Sequence, residues 1–120
     1  MGRSQREKGK RGERELSNML SSYGYDCHRG QQNRGGGDSP DVVGLDGIHI
    51  ECKRVEALNV EKAMEQARED SEGSGNLPVV MHRRNGEPWK ATCDLATFML
   101  LYSAWRAMMG YEEPEPRPHA

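Results

Sequence analysis

The feature that most constrains this fold is the segment from Ile48 to Lys53, in which apolar and polar side chains alternate. A period of two is the pattern of a β-strand, because successive side chains point to opposite faces of the sheet. Ile48, Ile50 and Cys52 would form an apolar row that packs on a core. Glu51 and Lys53 would stand together on the other face. The segment therefore predicts a strand with one buried and one charged side.

A second acidic residue precedes this strand by the length of one short hairpin. Asp41 follows Pro40 and begins the run that leads to the Asp46-Gly47 pair, which is typical of two-residue hairpin turns. The hairpin would bring Asp41 back beside Glu51. Two carboxylates next to the ammonium of Lys53 can bind a hard divalent cation and position a water for attack on a phosphodiester.

Periodicity and turn residues predict the order of the other elements. Helices are expected over residues 9–23, 59–72 and 95–109, and strands over 25–28, 41–45, 48–55, 78–82 and 89–93. The order α-β-β-β-α-β-β-α predicts an α/β fold with a mixed central β-sheet flanked by helices. The middle helix would be a crossover connection between the third and fourth strands.

Each predicted helix has an apolar stripe with helical spacing. The stripes are Leu16, Met19, Leu20 and Tyr23; Val60, Ala63, Met64 and Ala67, after an Asn59 N-cap; and Phe98, Leu101, Tyr102 and Trp105, after an Asp94 N-cap. The third stripe is expected to lie in the core. Met99, Leu100, Met108 and Met109 extend apolar surface beyond it, which indicates a helix buried on two sides, as at a homodimer interface.

Length and composition indicate one domain. Residues 9–110 would form it, residues 1–8 a flexible basic N-terminus, and the Pro- and Glu-rich residues 111–120 a disordered tail. The 3 cysteines are isolated, so a disulfide framework or zinc ribbon is disfavoured and a cytoplasmic protein is expected. No apolar run is long enough to span a bilayer.

The net charge of −2 conceals an asymmetry along the chain. Residues 1–37 carry 8 Lys and Arg against 4 acidic residues, whereas residues 38–120 carry 9 against 15. A basic N-terminal third can contact phosphates in a protein that is not basic overall. Charge alone supports a solvated tail equally well.

Taken together, these motifs resemble the PD-(D/E)XK nuclease superfamily, and within it small Holliday-junction resolvases and related phage nucleases. The resemblance covers roughly residues 8–105. The matching motifs are Lys8-Gly9 and Glu13-Arg14 in the first helix, Pro40-Asp41, Glu51-Cys52-Lys53, and Gln66-Ala67 in the crossover helix.

The resemblance implies a role for each matching site residue. Asp41 and Glu51 would ligate Mg²⁺, for which Mn²⁺ can substitute, and the backbone carbonyl of Cys52 would complete that side of the shell. Lys53 would orient or help deprotonate the attacking water and stabilise charge on the phosphate. Glu13 would bind through a water or a second metal.

Three further assignments concern neighbouring side chains. Glu13 extends the apolar stripe of the first helix, where a buried and unpaired carboxylate would need a neighbouring cation. Glu15 is the alternative acidic residue of this helix. Gln66 is a candidate catalytic residue, because related nucleases direct a glutamine from this helix toward the site. His49 shares the face of Glu51 and could therefore approach the site, but a solvated histidine is favoured.

DNA contacts are expected from the basic residues of the first helix and of the glycine-rich loop that precedes Asp41. Arginine and lysine neutralise phosphates, and glycine lets the backbone approach them closely. The candidates are Lys8, Lys10, Arg11, Arg14, Arg29 and Arg34.

The sequence thus predicts a metal-dependent DNA endonuclease, a Holliday-junction resolvase acting in DNA recombination as a homodimer. One alternative is a nuclease of the same superfamily acting on flaps, ends or duplex DNA. Another is a catalytically silent DNA-binding module with the same fold. The resemblance implies a phage origin and action in a bacterial or phage-infected cell.

Overall fold

The computed structural model of the protein describes residues 3–30 and 40–118, and side chains from residue 7 onward within these ranges. In these ranges the chain forms three helices and five strands. They are α1 (Arg3–Ser21), β1 (His28–Arg29), β2 (Val42–Val43), β3 (Ile48–Arg54), α2 (Val60–Ser71), β4 (Leu77–Arg83), β5 (Lys90–Thr92) and α3 (Leu95–Met109).

The strands form one mixed sheet in the order β1-β2-β3-β4-β5. β3 and β4 are parallel and are connected by α2, whereas the other neighbouring pairs are antiparallel. The predicted order of elements and the mixed α/β architecture are confirmed. The first strand lies at His28–Arg29 rather than at residues 25–28, and β2 is shorter than predicted.

The face of the sheet under α1 contains the larger part of the core. Leu16 of α1 packs with Cys27, Val42, Ile50 and Cys52, all of which are buried. Helix and strand approach closely, because a Cβ added at Gly12 would lie 2.6 Å from the Cβ of Arg54. The helix begins at Arg3, six residues before the predicted start.

The opposite face of the sheet is covered by α2. Asn59 caps this helix as predicted, with its side-chain oxygen accepting a hydrogen bond from the Lys62 amide at 3.0 Å. Three of the four stripe residues are buried against Val80 of β4, namely Ala63, Met64 and Ala67, whereas Val60 is exposed. A small apolar cluster therefore holds the crossover helix on the sheet.

The third helix has the predicted bounds, but its stripe does not lie in the core. Phe98 is 52% exposed and Trp105 44%, and Thr97 is the buried residue of the helix. Asp94 makes no side-chain capping bond, because its carboxylate accepts a hydrogen bond from Arg68 at 2.8 Å instead. The prediction of a core stripe was therefore wrong, whereas Asp94 is the N-cap residue of α3 as predicted, without a side-chain capping bond. Periodicity identified an apolar helix but not what covers it.

Three further observations concern the described part of the chain. None of the helices within residues 3–30 and 40–118 combines the length and apolarity needed to cross a bilayer. Cys27, Cys52 and Cys93 are free thiols. Residues 111–118 form neither helix nor strand, and the division into 1–8, 9–110 and 111–120 stays a prediction.

We expect alanine at two glycines of α1 to change stability in opposite directions. Gly9→Ala introduces a methyl group into open space and should stabilise the protein by about 0.5–1 kcal/mol, because alanine is the better helix former. Gly12→Ala places the same methyl against the Arg54 stem and should destabilise it by roughly 1–3 kcal/mol. Urea unfolding monitored by circular dichroism measures both. Equal effects would show that α1 does not pack tightly on β3.

Candidate active site

Asp41 is fixed at the edge of the central strand by three backbone and side-chain hydrogen bonds. Its amide donates to the Ile50 carbonyl, and its carbonyl accepts from the Gly30 amide, each at 2.9 Å. Its carboxylate oxygen Oδ2 accepts from the backbone N–H of Cys52 at 2.8 Å. The hairpin thus places the Asp41 carboxylate next to the Glu51–Cys52 peptide, as the sequence predicts.

Glu51 lies almost entirely inside the protein, with 4% of the residue exposed. Burial raises the pKa of its carboxyl above the usual value, and the negative charges of Asp41 and Asp70 raise it further. The hydrogen bond with His49 Nε2, at 3.2 Å from Glu51 Oε1, acts in the opposite direction. Glu51 is therefore a buried acid whose ionised form needs a compensating cation.

Glu13 of α1 is the third carboxylate of this cluster. Burial is the main cause that raises its pKa, and the charge of Asp41 contributes in the same direction. Arg29 of β1 opposes this effect, because its Nε donates to Glu13 Oε1 at 2.9 Å. The sequence predicts a cation beside Glu13, where this residue extends the apolar stripe of α1. In this structure the guanidinium of Arg29 is that cation.

Glu15, the alternative helix acid, belongs to a different cluster. Its Oε1 accepts from Arg54 Nε at 3.3 Å and also pairs with Arg83. These partners lie at the far ends of β3 and β4. The geometry therefore associates Glu13, rather than Glu15, with Asp41.

Lys53 and Gln66 line one groove between the end of β3 and α2. Lys53 shares the strand face of Glu51, because the two residues are separated by two positions. The side-chain amide of Gln66 donates to both carboxylate oxygens of Asp70 at 2.9 Å. Gln66 is therefore close to this part of the site, although it is exposed and bound to another residue of its own helix.

The thiol of Cys52 points away from this groove, into the core under α1. Burial raises its pKa strongly, and the nearby carboxylates of Asp41 and Glu13 add to that effect. A protonated, buried thiol is a poor metal ligand. The backbone N–H of Cys52 faces Asp41, whereas the role of the Cys52 carbonyl as a metal ligand stays a prediction.

The predicted DNA-binding residues occupy different surroundings. Lys8 and Arg11 line a groove with Gly12, Glu15, Arg54 and Asn85. Lys10 and Arg14 are exposed on α1, and Arg29 is paired with Glu13. Arg34 lies outside the described residues. The basic side of α1 thus lies beside the acidic site.

The sequence analysis misjudged one residue near the site and did not name another. His49 was expected to be solvated, but it is 2% exposed and contacts Glu51, so that expectation was wrong. Asp70 was not singled out, although it follows Gln66 by one helical turn. The spacing of two between His49 and Glu51 on one strand was the available indication.

The donor set fits a divalent metal ion. Asp41 and Glu51 offer carboxylate oxygens, which are the preferred ligands of Mg²⁺ and Mn²⁺. The charge of Asp41 disfavours the ionised form of Glu51, and a cation between them would remove that cost. The residues present are therefore chemically suitable for the predicted metal.

Comparisons with known proteins agree with this geometry. A family model described as a phage putative PDDEXK endonuclease matches residues 4–113. Among solved structures, the chain is similar to Hjc, a Holliday junction resolvase from the archaeal hyperthermophile Archaeoglobus fulgidus. The two share 26% sequence identity over 72% of each chain, with a TM-score of 0.53. A search of curated proteins found no match.

We expect Glu51→Gln to stabilise the protein in EDTA at pH 8. The pKa of Glu51 is higher in the folded state than in the unfolded chain. Ionisation of Glu51 at pH 8 therefore costs more free energy in the folded state, and it lowers the stability of the protein. Glutamine removes the buried charge and keeps an acceptor for His49. The gain should be about 0.5–2 kcal/mol, the size typical of single stabilising substitutions. Urea unfolding is the measurement.

Glu65→Gln is the matched control for this measurement. It makes the same change at an exposed position of α2 and should alter stability by less than about 0.5 kcal/mol. If Glu51→Gln instead lost stability, the Glu51 carboxylate would be held as an ion pair with protonated His49.

Proposed function

We propose that this chain, which belongs to the phage putative PDDEXK endonuclease family, is a Mg²⁺-dependent enzyme that cuts DNA at four-way junctions. Membership in this family makes the chain a nuclease-type protein with DNA as its substrate class. The metal requirement, the junction substrate and the individual residue roles are our proposal. We further propose that it acts in DNA recombination, in the cytoplasm of a bacterial or phage-infected cell.

The observation that best supports catalysis is the placement of Asp41 against the backbone of the Glu51-x-Lys53 motif. The 2.8 Å hydrogen bond from the Cys52 amide holds the Asp41 carboxylate in one position. Glu51 is fixed from the other side by His49. Two acids held rigidly despite their mutual repulsion are typical of a site built to bind a cation.

In the proposed reaction, Asp41, Glu51 and the Cys52 carbonyl would hold the metal ion. A divalent ion there would supply Lewis-acid stabilisation of the phosphate and lower the pKa of water. Lys53 would orient the attacking water and place its ammonium beside the charge that grows on the phosphate. Gln66 would hydrogen bond across the same groove, from the α2 side.

Glu13 and Arg29 would act at the α1 side of the site. Their 2.9 Å ion pair holds a guanidinium close to Asp41, where it can contact a phosphate next to the one that is cut. Glu13 would then serve to position Arg29, or would bind the metal through a water or as ligand of a second ion. Lys8, Lys10, Arg11, Arg14 and, in the loop outside the described residues, Arg34 would contact the DNA backbone.

The junction substrate is suggested by the similarity to the archaeal resolvase. Symmetric cutting of a four-way junction requires two active sites, which a two-fold homodimer provides. We therefore propose a homodimer and assign its interface to α3. This helix has Arg106 as its one charged residue, and Thr97 as its one buried residue.

The exposed surface of α3 is large enough for such an interface. Eight large apolar side chains of the helix and the adjacent Tyr111 are exposed to between 44 and 75%. Taking roughly 200 Å² for a large side chain, these nine residues expose about 1,000 Å² in total, distributed around the helix. A stable interface buries about 800 Å² on each partner, and monomers rarely expose contiguous patches above about 600 Å². A second copy of α3 is the occupant we propose.

The ring arrangement on α3 supports a preformed surface. Phe98, Tyr102 and Trp105 follow one another at ring distances of 6.2 and 6.0 Å, and Trp105 contacts Tyr111 at 5.7 Å. Arg106 lies over the rings of Tyr102 and Tyr111. Rigid aromatic side chains lose little entropy on association, so they favour a stable contact between copies.

We expect the purified protein to cut a labelled four-way junction in Mg²⁺ with paired symmetric nicks, and to leave a linear duplex of the same sequence intact. Asp41→Asn and Lys53→Ala should each lower the cleavage rate at least about 100-fold, because each removes a group that stabilises the transition state. Denaturing gel electrophoresis of the end-labelled strands measures both rate and position of cutting.

Lys90→Ala and Asp46→Asn serve as matched controls, since both residues are exposed and lie outside the proposed site. They should cut at the wild-type rate. Equal cleavage of junction and duplex would retain the nuclease but overturn the junction preference. Junction binding without cleavage in Mg²⁺ or Mn²⁺ would overturn catalysis and favour a DNA-binding module.

We expect the wild-type chain to have twice its 13.5 kDa mass in light scattering after size exclusion. The double variant Phe98→Glu, Leu101→Glu should be monomeric, because it buries two charges in the proposed contact. Both positions are about half exposed in the single chain, so the fold should survive, as circular dichroism will show.

Tyr23→Glu is the control for a general effect of added charge. Tyr23 is 73% exposed at the end of α1, and its variant should remain dimeric. A wild-type monomer at concentrations of about 100 μM, or a double variant that stays dimeric, would overturn the assignment of α3.

A further inference from the structure

Three polar side chains meet beneath α2, and two of them, His49 and Asp70, have no role in the proposed reaction. The potential ligand atoms of His49, Glu51 and Asp70 all lie within 4.8 Å of one another. His49 and Glu51 are buried and Asp70 is half-buried. Asp41 belongs to strand β2's side of the site, where its carboxylate accepts from the Cys52 amide, and it is not a member of this cluster.

The imidazole distinguishes this cluster from a group of acids. The His49 ring nitrogen Nε2 lies 3.2 Å from Glu51 Oε1, and the side chain of His49 is 2% exposed. A transition-metal ion about 2.0–2.2 Å from both atoms would hold them roughly 3.0–3.5 Å apart. The observed separation therefore matches two adjacent ligands of one ion without rearrangement of the strand.

The third ligand is oriented by a partner of its own. Gln66, one turn earlier on α2, donates to both oxygens of the Asp70 carboxylate at 2.9 Å. Carboxylates that bind metal ions commonly have such hydrogen bonds from outside the ligand shell, which fix their direction. Asp70 thus has the support expected of a ligand, and its remaining lone pairs are available to an ion.

Charge in the cluster also calls for a cation. Glu51 and Asp70 repel each other, since the charge of Asp70 raises the pKa of Glu51. A divalent ion can neutralise two carboxylates, and it would accept the lone pair of the His49 imidazole nitrogen. Burying this arrangement without an ion costs stability that an ion would restore.

We propose that His49, Glu51 and Asp70 form a binding site for one Zn²⁺-class transition-metal ion, separate from the Asp41–Glu51 position that we assign to Mg²⁺. Imidazole nitrogen favours zinc and its neighbours, whereas Mg²⁺ prefers oxygen ligands alone. This goes beyond the proposed function, because it concerns metal binding and holds whether or not the protein cuts DNA. A fourth ligand would come from water.

The site would matter because the two positions share Glu51. An ion bound by His49 and Asp70 would use the carboxylate that the Mg²⁺ position also needs. Binding at one position would therefore weaken binding at the other, by the same factor in both directions. Zinc would in this way regulate the occupancy of the neighbouring position.

The test is a Zn²⁺ titration of the full-length, EDTA-stripped protein by isothermal calorimetry, together with visible absorption spectra of the Co²⁺-substituted form. Wild type should bind one Zn²⁺ per chain, and Co²⁺ should give the intense bands of a nitrogen-containing site of low coordination number. His49→Gln and Asp70→Asn should each weaken Zn²⁺ binding at least about tenfold and reduce the Co²⁺ bands.

His28→Gln is the control for adventitious binding at an exposed histidine and should leave Zn²⁺ affinity within about twofold. Should the buried His49→Gln variant fail to fold, the half-exposed Asp70→Asn variant and the Co²⁺ spectrum of wild type still test the site. Unchanged Zn²⁺ affinity in a folded His49→Gln or Asp70→Asn variant would overturn the proposal. The cluster would then be a hydrogen-bonded support for Glu51.

Failure of this proposal can be distinguished from failure of the proposed function. The titration contains no DNA, and its variants are not those of the cleavage assay. Junction cutting without a Zn²⁺ site would refute only the zinc proposal. Zn²⁺ binding that depends on His49, in a protein that cuts no DNA, would refute only catalysis.

Discussion

The structure depends on the alternation of side chains along β3, the central strand of the sheet. Its apolar row faces α1 and forms the main core with Leu16 and Val42. Its other row, which contains His49, Glu51 and Lys53, faces α2. One strand therefore supplies both the strongest packing and the polar groups of the candidate site, because its two faces have opposite chemistry.

This arrangement has an energetic cost that is concentrated at the site. Glu13 and Glu51 both have pKa values raised chiefly by burial, so each ionised group lowers the stability of the metal-free fold. The hydrogen bonds from Arg29 and His49 offset part of this cost. Buried carboxylates of this kind, surrounded by well-packed apolar residues, are typical of sites at which ligand binding stabilises the fold.

The order of elements and the acids of the candidate site were predictable from sequence, because both depend on local patterns. The alternation of side chains predicted β3, and the Asn59 cap predicted the start of α2. The apolar run predicted both ends of α3. The partners of the acids were not predictable. Arg29 meets Glu13 across 16 residues of sequence, and such pairing depends on how β1 packs on α1.

The exposure of α3 was missed for a related physical reason. A helical stripe shows that one side is apolar, but it does not show whether the covering surface belongs to the same chain. The prediction for His49 was wrong for the same reason. Periodicity assigned this side chain to the correct face of β3, but it did not show how deeply α2 would bury it. Burial is a property of the packed layers, so it appeared only once the layers were known.

The candidate site and the proposed dimer interface lie in different parts of the fold. The acids and the basic side of α1 lie around β1, β2 and β3, whereas α3 follows β5 at the opposite edge of the sheet. A contact between two α3 helices would leave the proposed site on each chain open to its own DNA strand. The distance between the two sites would depend on how the two α3 helices pack together. Selection of a branched substrate would then follow from the geometry of association, which the site residues do not encode.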